Sequence, residues 1–394
     1  MYKEDEMTCV KMYKGVIKMY HDNLVNNKKI AFIVCTNSEI WYSECVRYLQ
    51  ELEWPDGYEV EILQIVEAKC MTAGYNEGMH STDAKYKIYL HQDLFILRKD
   101  FIMRVIGVFI SHPEIGIMGI MGTNRIVPDA NYWNHWDRGQ VFALDIMHPY
   151  NLNIKSTGED EVIYVYALDG MILMTQYDVE WREDIFTGWD FYDISQCFEF
   201  RKSGYEVAIL LEKNPSCLHD CGYSKLSRYD ESREIFCNEY ALNGFRFEKE
   251  MRGDISKERE ELFECFLEYL NKFMQLNLEE ARILVDGMYF IYQRDNRVAT
   301  LKLIFNIFLK EQKEESTSRF IVLGDTWEEL IEKYTRLKFL IRRVEFDVDE
   351  NATYELCEEL QMGRISAEAV EEIINHCCYN GSYIIKRLQE TINT

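Results

Sequence analysis

The sequence predicts an α/β fold: a mostly parallel, doubly wound sheet with helices on both faces, followed by an all-helical C-terminal region. Three observations carry that prediction. Ile30 to Cys35 is an unbroken apolar run between Lys28-Lys29 and Thr36-Asn37-Ser38, the pattern of a strand buried on both faces. Strand and helix patterns then alternate between residues 30 and 93, which implies parallel pairing through crossover helices. From about residue 250 the texture changes, and apolar residues recur at helical spacing. The expected division is an N-terminal helical segment (1–28), an α/β domain (29–248) and a helical domain (249–394).

Taken in order, the first segment mixes charges with Val10, Met12, Val16, Ile17, Met19 and Tyr20, which suits a short amphipathic helix. After the first strand, Ser38 can cap a helix that carries Glu39 in its first turn. That helix presents Trp41, Cys45, Tyr48, Leu49 and Leu52 at helical spacing and stops near Trp54-Pro55-Asp56-Gly57. Tyr58 to Val66 alternates as a second strand, Met71 to Ser81 reads as a helix, and Tyr86 to Leu90 alternates as a third strand. Phe101 to Ile110 reads as a helix and Ile115 to Met121 as a strand. Residues 123–142 form a polar, aromatic segment. Val162 to Ala167 and Met171 to Thr175 are strand-like and flank Leu168-Asp169-Gly170. Trp189 to Lys202 reads as a helix, and Val207 to Leu211 as the last strand. Further on, Leu262, Phe263, Phe266, Leu267, Leu270 and Phe273 mark one helix. Thr326-Trp-Glu-Glu329 is a capping box opening another, and Ser366 can cap a later one.

A chain of 394 residues with 47% hydrophobic content can bury a large core, in two or three domains. No apolar run approaches the roughly eighteen residues of a membrane span. The acidic start Met-Tyr-Lys-Glu-Asp-Glu-Met lacks the layout of a signal peptide. The expected location is therefore cytoplasmic. The twelve cysteines show no zinc-finger spacing, so they are expected to stay reduced and act as small apolar residues. A net charge of −24 argues against non-specific nucleic-acid binding. A nucleotide diphosphate remains possible where a cation neutralises it.

The third strand runs straight into His91-Gln92-Asp93. Ligands of open α/β sheets collect at strand carboxyl ends, so Asp93 is placed to hold a divalent cation, or else caps the next segment. Asn37, past the first strand, can meet a base edge or stabilise a turn. Neither a Walker A nor a Gly-x-Gly-x-x-Gly motif follows that strand, so a metal or basic side chains would have to hold any phosphates. Asp190 and Asp193 fall at the opening of the expected helix, where one of them can accept a proton or one of them can merely cap the helix. His219 can offer a metal a nitrogen or lie idle on the surface. Trp133 and Trp136 can stack on a sugar or fill a loop. Asp169-Gly170 can place an acceptor or make a turn.

Together, Ala73-Gly-Tyr-Asn-Glu-Gly-Met79, Ala84-Lys-Tyr-Lys-Ile-Tyr-Leu-His-Gln-Asp-Leu-Phe-Ile96, Leu168-Asp-Gly170, Gly188-Trp-Asp-Phe-Tyr-Asp-Ile-Ser195 and Gly204-Tyr205 carry a resemblance. Residues Lys29 to about Tyr240 resemble glycosyltransferases of the GT-A fold, within the wider family 2 type. The nearest likeness is to the glycosyltransferase-like group related to the StrF streptomycin-biosynthesis protein. The resemblance implies transfer of a hexose from a nucleotide-sugar donor to an acceptor hydroxyl of a glycan, lipid or protein, with inversion and with Mn²⁺ or Mg²⁺. It implies that His91-Gln92-Asp93 stands in the place of an Asp-x-Asp motif, with His91 replacing the first acid. Asp93 and His219 would then hold the metal, and Asn37, His91 and Asp93 would meet the nucleotide sugar. Asp193, eleven residues before Gly204, would be the base in preference to Asp190. Asp169, Gly170, Trp133, Trp136 and Trp189 would contact sugar or acceptor. The helical region lies outside the resemblance and could bind an acceptor protein or form a homodimer. The rival functions are a catalytically silent GT-A domain that binds nucleotide, glycan or protein, and a nucleotidyltransferase. The second normally shows a Gly-rich basic loop after the first strand, and Thr36-Asn37-Ser38-Glu39 supplies none.

Overall fold

The computed structural model describes residues 25–392 except 126, 128–129, 133–134, 146–147, 155–161, 221–227, 241–251, 293–294 and 314–318. The helix expected over 1–28 lies outside the described residues up to residue 24. From Asn26 the chain is already in the first strand.

The main sheet contains β1 (Asn26–Thr36), β2 (Glu59–Val66), β3 (Ala84–His91), β5 (Ile115–Gly119), β9 (Val162–Tyr164), β11 (Ile172–Thr175) and β12 (Glu206–Leu210). Their order is β2-β1-β3-β11-β5-β12-β9. β11 and β9 run against the other five. Helices α1 (Glu39–Gln50), α2 (Met71–His80), α3 (Phe101–Ser111) and α4 (Tyr192–Lys202) cover both faces. The sheet's two faces explain the apolar run in β1. Ile30, Phe32 and Val34 pair with Tyr86, Ile88 and Leu90 and join one core with α1 and α3. Ile33 pairs with Tyr89 and joins the opposite core with α2 and α4. Every residue from Ile30 to Val34 is fully buried, so an alternating pattern was never available to this strand.

A second sheet was not foreseen. It contains β4 (Leu94–Ile96), β6 (Met121–Thr123), β7 (Arg138–Asp145), β8 (His148–Ile154), β10 (Ala167–Leu168) and β13 (Cys217–His219), in the order β10-β6-β7-β13-β4 with β8 on β7. Two expectations are corrected here. The strand read as Ile115 to Met121 is two strands, β5 and β6, one in each sheet. Val207 to Leu211 is not the last strand, because β13 follows it. Three-residue strands such as β13 are too short to show a period, and only their partners reveal them. The helix expected from Trp189 starts at Tyr192 instead. Phe191 before it takes a left-handed backbone, φ 64°, and a left-handed residue cannot continue a right-handed helix.

The C-terminal region is built of α6 (Arg252–Leu276), α7 (Leu278–Ile291), α8 (Asn296–Lys313), α9 (Trp327–Glu345), α10 (Ala352–Gln361), α11 (Ala367–Cys377) and α12 (Gly381–Ile392), after α5 (Tyr229–Glu239). Asn277 caps α7, Thr326 and Glu329 close a capping box on α9, and Ser366 caps α11. The region has its own core, but α9 also reaches the sheets. Phe339 packs edge-on to Trp41 at 4.8 Å and joins the first core. Arg343 meets Glu44 of α1 at 3.3 Å with both side chains buried. No described helix is long and apolar enough to cross a membrane.

Candidate active site

The site forms where β3 ends. Gln92, next after the strand, ties down the turn beyond β1: its side-chain oxygen accepts from the backbone N–H groups of Asn37 and Ser38, each at 3.1 Å. Its amide nitrogen donates to Asn37 Oδ1 at 2.6 Å. Asn37 is thus exposed just past the carboxyl end of β1, with its side-chain oxygen already engaged. Asp93 sits between β3 and β4. β4 pairs antiparallel with β13, and the register places His219 opposite Leu94. The backbone N–H of Asp220 then donates to the carbonyl of Asp93 at 3.0 Å. That pairing delivers His219 to Asp93 across the whole domain.

The result is a cluster of His91, Asp93 and His219 whose ligand atoms lie within 4.8 Å of one another. His219 Nε2 is 3.5 Å from Asp93 Oδ1, and His91 Nδ1 is 3.9 Å from the same oxygen. Burial alone would raise the Asp93 carboxyl. The His219 charge, with a smaller effect from His91, outweighs it and holds Asp93 below the usual carboxylate range. Burial lowers His91, helped by His219. Burial also lowers His219, but Asp93 beside it wins and raises that imidazole.

The other wall comes from β11 and α4. Because β11 runs against β3, its first residues lie beside the last of β3, and His91 N–H donates to Met171 O at 3.1 Å. Just before it, Asp169 Oδ1 accepts from Met171 N–H at 3.1 Å. Tyr192 hydrogen-bonds His91 Nε2 through its hydroxyl at 2.6 Å. Gly170 explains how the ring fits: a Cβ there would collide with the Tyr192 hydroxyl. Asp193 follows, with Oδ1 accepting from Ile194 N–H at 2.8 Å. Burial, and then the Asp169 charge, push the Asp193 carboxyl up to about 7. The left-handed Phe191 is the bend that presents these two residues, and such strain concentrates at functional sites.

The structure therefore brings His91, Asp93, Asp169, Gly170, Asp193 and His219 together. Asp190 lies before the helix rather than on its face. Burial raises it, and the nearby charge it feels is Arg228. Trp189 is 55% exposed. Trp136 is half-buried and packs on two of the cores, beside Tyr132. Trp133 lies outside the described residues. Sequence reasoning missed Tyr192 and Gln92, although both sit inside the quoted motifs. Spacing does not mark a tyrosine or glutamine whose partner is distant in the chain.

A sheet that delivers carboxylates and imidazoles to one end of its strands defines an α/β enzyme with its site outside the strand carboxyl ends. The chain belongs to the Glycosyltransferase like family, whose model matches residues 31–240. It is a glycosyltransferase of the GT-A, family 2-like type with an all-helical C-terminal part. No curated protein matches it in sequence. Among solved structures it is similar to Staphylococcus aureus TarS 1-349 in complex with UDP (10% identity, 92% of each chain, TM-score 0.36). It is also similar to TarS 1-349 in complex with UDP-GlcNAc (11%, 92% of each, 0.33) and to TarS (12%, 88% of this chain and 54% of that one, 0.35). At such scores the likeness carries no argument about ligand or mechanism.

Proposed function

We propose that the protein moves a hexose from a nucleoside-diphosphate sugar to an acceptor hydroxyl, with inversion and with a divalent cation. The observation that carries this reading is one site that joins two carboxylates in opposite surroundings, Asp93 between two imidazoles and Asp193 beside Asp169. Asp93 is kept ionised between two imidazoles, and Asp193 is held near neutrality by Asp169 and burial. Environments that push two titratable groups apart assign acid–base roles.

The donor set suits the cation. A carboxylate with an imidazole, and a second imidazole close by, fits Mn²⁺ better than Mg²⁺, which prefers oxygen alone. Asp93 and His219 would hold it, and when bound it neutralises charge growing on the departing diphosphate. His91 is orientated by Tyr192, and its lowered pKa keeps it neutral, so it can face the donor without adding charge. Asn37, held by Gln92, stands where the base edge would lie. Asp193, whose Oδ1 accepts from Ile194 N–H, takes the proton from the acceptor hydroxyl. Burial raises the proton affinity of that carboxyl most, and the Asp169 charge raises it further. Trp189, exposed a few residues before Tyr192 and Asp193, offers a face for a sugar, whereas Asp190 is a lesser candidate because it answers to Arg228.

We read residues 29–248 as the catalytic unit and 249–394 as a helical unit. Leu262, Tyr269, Leu276, Ile283 and Phe290 are each more than half exposed on α6 and α7 and support a homodimer through that unit. A strictly monomeric mass by light scattering would remove that part. Described cysteines without a disulfide fit a reducing cytoplasm. The deciding experiment measures sugar transfer from a panel of nucleoside-diphosphate sugars with and without Mn²⁺. Metal-stimulated transfer supports the reading, and equal activity in excess chelator rejects its metal-dependent part.

A further inference from the structure

Lys338 on α9 is 5% exposed and Asp220 is 3% exposed, yet their charged atoms meet at 2.7 Å. Lysine and aspartate are seldom buried this completely unless paired. An apolar contact would have joined the helix to the sheet with less desolvation cost. The ion pair's value therefore lies in where it holds the chain. Asp220 is anchored at both ends, its backbone N–H on the Asp93 carbonyl and its carboxylate on Lys338. His219 lies between those anchors and Asp93, as the residue immediately before Asp220. Lys338 is itself fixed, with its ammonium 5.0 Å from the Trp41 ring centre. Trp41 in turn stacks on Phe95 of β4 at 6.1 Å, the strand that receives β13.

We propose that Lys338 is a positioning residue for the candidate metal site: its ion pair with Asp220 sets the place of His219 against Asp93, so the helical region completes the catalytic centre. The proposal rests on the metal reading given above. Without Lys338, Asp220 would keep only the attraction of the buried Arg342 guanidinium, and its carboxylate would be free to leave the position that fixes His219. Residues that orient metal ligands from behind typically change metal affinity by about 10–100-fold when replaced.

The test uses the full chain as wild type, K338M, the double variant D220N/K338M, and D93N. Mn²⁺ affinity is read by electron paramagnetic resonance, and the imidazole ¹⁵N resonances of His219 are read in metal-free protein at fixed pH. K338M is expected to weaken Mn²⁺ by about 10–100-fold and to displace the His219 resonances. Wild-type affinity with unmoved His219 resonances overturns the proposal, even where the melting temperature has dropped. Should K338M fail to fold, the double variant decides by the same two readouts, since it removes the ion pair without leaving the Asp220 charge behind. If wild type binds no Mn²⁺, or D93N binds it equally well, the metal reading falls. The His219 resonances then judge the positioning role alone.

Discussion

The end of β3 and the start of α4 meet at one site with opposite chemistry. At the first, Asp93 stands between two imidazoles and stays ionised. At the second, Asp193 meets Asp169 instead of a base and rises to about 7. Both groups are aspartates that burial alone would raise. The difference lies in what the neighbouring strand delivers: β13 brings a histidine to Asp93, whereas the turn before β11 brings an acid to Asp193. One carboxylate is thereby suited to a cation and the other to a proton. Tyr192 joins the two ends by bonding His91 from the residue next to Asp193.

The largest test of this contrast is Asp193→Asn. It should lower kcat by about 10²–10⁴-fold, the usual worth of a general base, while the donor KM stays near wild type. Near-normal turnover would leave the α4 end without a catalytic role. At the other end, His219→Ala should weaken Mn²⁺ by at least about tenfold in a titration, with little change in acceptor KM. The third test reads pH. Asp193 must be ionised to accept a proton, so kcat/KM should climb as pH rises through about 7. Asp169→Asn removes a like charge, lowers the Asp193 pKa, and should move that limb to lower pH. A limb that stays in place would mean Asp169 does not set it. Stability runs the other way. A raised carboxyl pKa stabilises the fold below its ordinary range and loses that contribution as pH climbs through about 7. Asp193→Asn, which cannot ionise, should therefore lack the decline in melting temperature that wild type shows between about pH 4 and about pH 7. The smallest effect is expected of Tyr192→Phe. Loss of one hydrogen bond to His91 is worth about 1 kcal/mol, roughly fivefold in kcat/KM.

Much of this was legible in the chain. The run Ile30 to Cys35 announced a strand buried on both faces because both faces demand apolar residues. The alternation Tyr86 to Leu90 pointed at Asp93, and the capping box at Thr326 to Glu329 marked α9 to the residue. The second sheet was not legible. β4, β6, β10 and β13 are two or three residues long and exist only through their partners. Tyr192 was hidden for a related reason, since its hydroxyl is explained by His91 and by the missing side chain of Gly170. The helix expected from Trp189 failed at Phe191, whose backbone is left-handed and whose ring packs against Tyr229 and Phe236.

By itself the sequence determined the elements whose signal is local: the buried central strands, the amphipathic helices with their caps, and the carboxylates at the ends of strand and helix. Periodicity and capping act within a few residues, so one stretch of chain suffices to read them. Only the tertiary structure decided what each carboxylate faces. Whether an aspartate stays ionised or holds a proton depends on a partner brought from elsewhere in the chain through strand register, and that energy does not exist until the strands have paired.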